Sequence, residues 1–293
     1  MSVVEAGDAT DAGREFVDFW NEILVPKFVR FKHILVDGLT HHSEAVIPLL
    51  QVKEGDRVLD VGCGFGDTAI QLARRVGPAG SVIGIDCCDA FLKVGREDAA
   101  AAGLSNVEFV EGDAQSHPFQ PVYDFVFSRF GTMFFENPVI GLRNMRTAIK
   151  PSGLMTMIVW RRVDDNPWLG LPKQVVSNFL PPPGDDAQSC GPGPFSMADQ
   201  ETVTAMLKSA GYIDTDFKRV DAPVLVGATT KDSMDFQLAL GPAGEVFREA
   251  GELAEERREE IEAALSHAIS TYQTDEGIAM ASSSWVITAT NPG

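Results

Sequence analysis

The sequence predicts a doubly wound α/β fold, a largely parallel sheet with helices on both faces, and three observations lead to it. Short apolar runs recur at 57–61 (RVLDV), 81–85 (SVIGI), 107–110 (VEFV), 123–127 (YDFVF) and 154–159 (LMTMIV). Stretches with helical periodicity lie between them, near 67–76, 89–102 and 138–149, and strands alternating with helices at this spacing are joined by right-handed crossovers. The runs are mostly apolar along their length, as strands covered on both faces are.

Ahead of the first strand, Arg14 to about Leu50 reads as two or three helices. Phe16, Phe19, Trp20, Ile23 and Leu24 recur there at three- and four-residue steps, punctuated by Pro26 and Pro48. Residues 1–12, small and acidic, read as a frayed tail. After Val159 the rhythm changes to RRVDDNPW, LPPPGDD and CGPGPF, rich in proline, glycine and aromatics. This predicts an insertion at about 160–211 that crosses the mouth of the sheet. It holds a helix near 167–179 and another at about 197–210, with Ser196 as N-cap and Gly211 just past its end. A strand in 217–227, a long charged helix near 243–270 and a last strand at 282–290 complete the chain. In that long helix Val246, Ala250, Leu253, Ile261, Leu265 and Ile269 form the buried side, and EERREE (255–260) the solvated one. The expected division is a tail and helical cap over 1–50 and one domain over 51–293.

Composition narrows the function. Of 293 residues, 44% are hydrophobic, enough for a large core, and the net charge of −18 opposes a phosphate-backbone partner. No apolar run nears the ~20 residues that span a bilayer, and the start lacks a signal-peptide pattern. Cys63, Cys87, Cys88 and Cys190 show no zinc-knuckle or CxxC spacing, and no convergent His and carboxylate set signals a metal. These features predict a cytoplasmic protein with a small-molecule substrate and neither nucleic acid nor membrane as partner; they carry no signal of oligomeric state.

The chemistry starts at RVLDVGCGFGDTAIQLA (57–73). Gly62, Gly64 and Gly66 are spaced G-x-G-x-G, whereas the dinucleotide fingerprint is G-x-G-x-x-G. Asp60 stands two residues before the first glycine, where a carboxylate sits badly beside a pyrophosphate and well beside an ammonium group. S-adenosylmethionine carries an amino-acid tail and a sulfonium cation without phosphate, and the glycines let backbone approach that tail. Asp86, ending the second strand, is placed to accept both ribose hydroxyls, although a dinucleotide enzyme wants the same group. In EGDAQ, Asp113 is placed to accept from the adenine amine with Ala114 against the ring. The fourth strand delivers Ser128 and Arg129 to the same edge.

Through VLDVGCGFG, GIDCCD, EGDAQ, YDFVFSRF and LRNMRTAIKPSGLMTMIVW, in order over about residues 57–160, the chain resembles the class I S-adenosylmethionine-dependent methyltransferases. The last two segments look most like the branch containing ubiquinone/menaquinone C-methyltransferases and other small-molecule enzymes. The resemblance implies a Rossmann-like seven-stranded sheet ordered 3-2-1-4-5-7-6, the seventh strand antiparallel. It implies cofactor roles for Asp60, Gly62, Gly64, Asp86, Asp113 and Ser128, with S-adenosylhomocysteine as product. Cys87 falls where the family has an apolar residue against adenine, and Cys63 lies within the turn; both read as packing or cofactor-lining groups. The chain lacks an NPPY-type tetrapeptide, reading FSRFGTMFF after the fourth strand, which argues against nucleic-acid and glutamine N-methylation.

Methyl transfer displaces an excellent leaving group, so positioning the acceptor and removing its proton are what the protein adds. The acceptor, methylated at O, C, N or S, is expected among Trp20, Phe130, Phe134, Trp160 and Trp168, a lining suited to a planar or apolar molecule. For a base, His33, His41 and His42 lie in the amino-terminal helical region, and His33, within the apolar PKFVRFKHILVDGL, is the first choice. Arg129 and Arg161 pair either with an acceptor carboxylate or with Asp164 and Asp165. Two other readings are an NAD(P)-dependent oxidoreductase and a non-catalytic S-adenosylmethionine-binding regulator.

Overall fold

The computed structural model describes residues 17–184 and 191–293; the acidic segment 1–12 and Cys190 lie outside the described residues. Eight strands form one sheet: β1 (Arg57–Val61), β2 (Ser81–Asp86), β3 (Val107–Glu111), β4 (Tyr123–Arg129), β5 (Ile149–Trp160), β6 (Ile213–Leu225), β7 (Gln273–Thr274) and β8 (Gly277–Thr290). Their order is β3-β2-β1-β4-β5-β8-β6, with β7 paired to β8 off this path. The first five strands run parallel and β8 runs antiparallel to both neighbours. The expected order therefore holds once β8 is read as the expected seventh strand, because the two-residue β7 only opens the hairpin that leads into it. Both faces of the central strands are covered, so that Val58, Leu59, Val61, Val126 and Phe127 are wholly buried.

The parallel half closely follows the periodicity. The helix Asp67–Val76 buries Ala69, Ile70, Leu72, Ala73 and Val76, at helical spacing. The helix Asp89–Ala101 follows β2, and Pro138–Ala148 begins with proline at its first position behind Asn137, whose side chain accepts the Ile140 N–H. Gly66 (φ +79) is demanded by packing: a Cβ there would stand 2.5 Å from the Phe109 ring of β3. Chain order reverses between β1 and β4, so a crevice opens at their carboxyl ends, where ligands of such sheets bind.

The remainder departs from expectation in three places. Asp199, not Ser196, caps the helix Gln200–Ala210 by accepting the Thr202 N–H at 2.9 Å; the Ser196 hydroxyl donates instead to the Met133 carbonyl. Gly211 (φ +93) does end that helix. The single helix expected over 243–270 is three, Gly241–Glu249, Glu252–Glu256 and Arg258–Ser270: Gly251 (φ +55) turns the chain after the first, and Arg257 (φ −101, ψ 7) leaves helical geometry between the second and third. Leu253 is consequently exposed, and Ala254 takes its buried place. A further helix, Thr230–Ala239, begins behind Thr229, whose hydroxyl accepts the Asp232 N–H.

These carboxyl-terminal helices pack on Pro167–Ser177 around a second core of Val176, Leu180, Ala243, Val246, Phe247 and Ile261. At the other end of the chain a π-helical turn (Trp20–Leu24) leads into short helices at Val25–Arg30, Lys32–Val36 and Thr40–Val46, the last lying against β6.

Candidate functional site

One cavity of about 280 Å³ lies at the carboxyl ends of β1, β2, β3 and β4. One wall is the glycine turn Gly62–Gly64 with Asp86, Cys87, Asp113 and Ala114; across the crevice stand Phe130, Gly131 and Phe134. Trp20 and Phe28 from the amino-terminal helices, Trp168 and Leu169, and residues 236–248 complete the lining.

The Asp86 carboxylate is fixed by the backbone, accepting the Gly64 N–H at 2.9 Å and the Cys88 N–H at 3.1 Å. Burial pushes its carboxyl above the usual range while these N–H groups pull it back. Asp113 accepts the Gln115 N–H at 2.9 Å. A Cβ built on Gly64 (φ +52) meets no protein atom within 4 Å, so the backbone there faces open space. Cys63 is buried and Cys87 half-buried, with the Cys87 and Cys88 sulfurs 3.8 Å apart and both thiols free. Among the described residues, Asp86, Cys87 and Cys88 form the one grouping of metal-ligating atoms; they supply three ligands, short of a tetrahedral set.

Asp60 and Ser128 sit behind the wall rather than in it. Asp60 is fully buried; its Oδ2 accepts the Thr68 hydroxyl at 2.6 Å and its Oδ1 has no hydrogen-bond partner. Burial pushes its carboxyl up to about 7, the Thr68 hydrogen bond opposing. Ser128 is likewise wholly buried, its hydroxyl unpartnered and absent from the cavity lining.

Trp20, Phe130, Phe134, Trp160 and Trp168 all line the cavity. Phe130 stacks on Trp160 with centroids 3.8 Å apart and planes 14° from parallel, and Trp168 meets Trp160 edge-on at 5.2 Å. Phe130 holds this place at φ +58, a left-handed conformation costly for an aromatic residue, while its N–H donates to the Ile158 carbonyl. Stacking and the strand hydrogen bond offset that strain.

The histidine expectation is corrected. His33 does not line the cavity: its side chain is half exposed and its Nε2 lies 3.1 Å from Asp232. Of the apolar neighbours that suggested it, Phe31 and Ile34 are buried, whereas His33 lies on the exposed side. His41 stands near Glu44 at 3.7 Å. His42 is wholly buried beside the Phe130–Trp160 stack, between the Ser282 hydroxyl at 2.7 Å and the Ser284 hydroxyl at 3.0 Å. Burial, then the nearby Arg129, lowers its pKa to about 4, so it is neutral at pH 7. Arg129 lines the cavity, but its guanidinium pairs with Asp67 at 2.8 Å and donates to the Ser43 hydroxyl. Arg161 pairs with Asp165 at 3.1 Å.

Sequence reasoning missed the wall built by residues 236–248, including Phe236, Leu240 and Glu245. Only a helix start at Thr229 and a break at Gly251 could have signalled it.

A family model described as a methyltransferase domain matches residues 52–211. A ubiquinone/menaquinone biosynthesis C-methyltransferase UbiE from Idiomarina loihiensis is 32% identical over 187 residues, covering 59% of this chain and 73% of the relative. A demethylmenaquinone methyltransferase from Staphylococcus carnosus is 41% identical over 110 residues, where the chain spans 45% of the relative's length and the match 37% of the chain. Among solved structures, phosphoethanolamine N-methyltransferase 2 of Haemonchus contortus, in complex with S-adenosyl-L-methionine, shares the fold with a TM-score of 0.55 at 19% identity. That match covers 98% of this chain and 61% of the other.

Proposed function

The chain belongs to the class I S-adenosylmethionine-dependent methyltransferases, and from this we propose that it transfers a methyl group to a small acceptor with an aromatic or otherwise planar apolar body. One observation carries the reading: a single cavity runs from the glycine turn to the Phe130–Trp160 stack. Donor and acceptor can therefore meet without crossing solvent.

The donor half suits S-adenosylmethionine, which supplies an electrophilic methyl group on a sulfonium. Open space over Gly64 admits its amino-acid tail. The orphaned Asp60 Oδ1 is a buried acceptor suited to an ammonium, directly or through water. Asp86 takes the ribose hydroxyls, and Asp113 with Ala114 the adenine; Gly62, Cys63 and Cys87 shape the contact surface. Ser128 supports the end of β4 from behind rather than touching the donor. A dinucleotide suits the site less well, because the position of its third glycine, which lets the helix pack closely on the strand, is occupied by Asp67.

The acceptor half is lined by Trp20, Phe130, Phe134, Trp160 and Trp168, which offer ring faces and edges to a planar molecule. The names of the curated relatives, demethylmenaquinone and ubiquinone/menaquinone methyltransferases, agree with a cyclic acceptor of this kind. Arg129 acts as a positioning residue: through Asp67 and Ser43 it ties the glycine-turn helix to the amino-terminal helices. We take residues 17–50, 160–184 and 191–211 as the cover that keeps water from the reacting atoms. No described helix is long and apolar enough to cross a membrane; this, the free thiols and the acidic balance support a cytoplasmic setting without nucleic acid as partner.

Incubation with methyl-labelled S-adenosylmethionine and a panel of hydroxyarenes, hydroquinones and amines tests this. Label is expected in aromatic acceptors, and Phe130→Ala should lower kcat/KM for them by about 10-fold or more through lost stacking and positioning. Intact binding of S-adenosylhomocysteine with no acceptor labelled above background would instead favour a regulatory binding protein.

A further inference from the structure

With His33 outside the cavity, its ionisable lining can be considered group by group. Asp67 is paired with Arg129, Asp86 accepts two backbone N–H groups, Asp113 accepts the Gln115 N–H, and Arg248 pairs with Glu249 at 2.9 Å. Glu245 differs. It lines the cavity from the helix Gly241–Glu249, is half-buried, and receives no hydrogen bond or ion pair from any described residue. The helix carrying it packs on Pro167–Ser177, whose Trp168 also lines the cavity with its indole N–H buried and unpartnered. An apolar, aromatic chamber thus holds one unmatched acceptor, Glu245, and one unmatched donor, Trp168. The buried Trp168 N–H calls for a partner, and the Glu245 carboxylate, half-buried and facing no protein donor, stands free to accept a proton from a bound molecule.

Resting on the methyl-transfer reading above, we propose that Glu245 is the proton acceptor for the methyl acceptor, and that this acceptor is a hydroxyarene carrying a second oxygen that takes the Trp168 N–H. In the step, the acceptor O–H breaks and its proton passes to the Glu245 carboxylate. The released electron pair forms the new bond to the methyl carbon, at oxygen or through the ring at the ortho carbon; there the keto tautomer re-aromatises without net change. The carbon–sulfur pair stays on sulfur as the thioether, and Glu245, partly open to solvent, returns the proton to water. Glu245 lies beyond residue 211, where the family match ends.

The test uses the full chain. Binding of 1-naphthol and of reduced 1,4-naphthohydroquinone is measured by calorimetry without cofactor for the wild type, Glu245→Leu and Trp168→Phe. Methylation of 1,4-naphthohydroquinone, kept reduced, is followed for the wild type and Glu245→Gln across pH 5 to 9. Glu245→Leu is expected to weaken 1-naphthol by about tenfold or more, while S-adenosylhomocysteine affinity stays within about twofold in every variant. Trp168→Phe is expected to weaken naphthohydroquinone more than the single-oxygen 1-naphthol. Glu245→Gln is expected to lower kcat by about 10²- to 10⁴-fold throughout this pH range. Wild-type affinity for 1-naphthol in Glu245→Leu, or an unchanged rate in Glu245→Gln, would overturn the proposal, as would a wild type that does not bind 1-naphthol. Failure of the wild type to bind S-adenosylhomocysteine would sink the methyl-transfer reading separately, because naphthol binding is read without it.

Discussion

Buried and hydrogen-bonded through one oxygen only, Asp60 keeps its proton up to about pH 7. Between its ordinary value of 3.8 and about 7 the folded chain holds a proton that the unfolded chain has lost. Its contribution to stability is therefore complete below about pH 4 and is lost as pH rises through 7. An ammonium beside Oδ1 favours the ionised form, so donor binding should expel that proton. We expect S-adenosylhomocysteine affinity to rise by up to about tenfold per pH unit below 7 and then level off, with a flat profile in Asp60→Asn. Calorimetry from pH 5.5 to 8 reads this directly, and an equal slope in the variant would count against it. His42 works in the opposite sense: it is neutral when folded down to about pH 4, so its contribution is full above about 6.5 and is lost as pH falls toward 4. Urea unfolding of the wild type and His42→Gln should show a stability gap that shrinks by up to about 3 kcal/mol from pH 7 to 4.5. A constant gap would mean that His42 matters only through its contacts.

At the scale of elements, the parallel half was readable because each strand and helix carries its own periodic signal. The carboxyl-terminal half was less so, for local reasons. The helix Thr230–Ala239 buries Ser233 and Gln237 beside Phe236, so no apolar stripe marks it. The long charged pattern over 243–270 continues through Gly251 in sequence, although the backbone turns there. Asn166 is an element-scale anchor that sequence could not reveal. Wholly buried, it donates to the carbonyls of Arg161, Arg162 and Ser283, and its Oδ1 accepts the Ser283 N–H at 3.0 Å. It thereby pins the segment after β5 to β8, beneath Trp168. Asn166→Ala should cost roughly 2–4 kcal/mol, because it leaves buried backbone groups unmet; a midpoint of urea unfolding within error of wild type would refute that role.

Across the whole molecule, the wall proposed for the donor comes from three consecutive turns of one βαβ series, so its residues fall within local motifs that the sequence displays. The wall proposed for the acceptor gathers Trp20, Phe130, Trp160, Trp168, Phe236 and Glu245 from segments far apart in the chain, and no local pattern announces such a gathering. The aromatic residues drew attention by type alone, whereas Glu245 looked like one more acid in a chain with 42 of them. The amino-terminal helices share the cavity with the glycine turn through Trp20 and Phe28, so donor binding should slow hydrogen exchange in residues 25–46 as well as in 62–66. Exchange unchanged in 25–46 would separate the cover from the donor site.

The central claim, that this cavity holds S-adenosylmethionine by its carboxylates rather than a dinucleotide by its glycines, meets its most direct test in one calorimetric comparison. S-adenosylhomocysteine, NAD+ and NADP+ are each titrated into the wild type and into Asp86→Ala. Saturable binding of S-adenosylhomocysteine alone, weakened at least about tenfold in the variant with its fold intact, is the predicted result. Saturable dinucleotide binding without a response to S-adenosylhomocysteine, or an Asp86→Ala affinity equal to wild type, would contradict it.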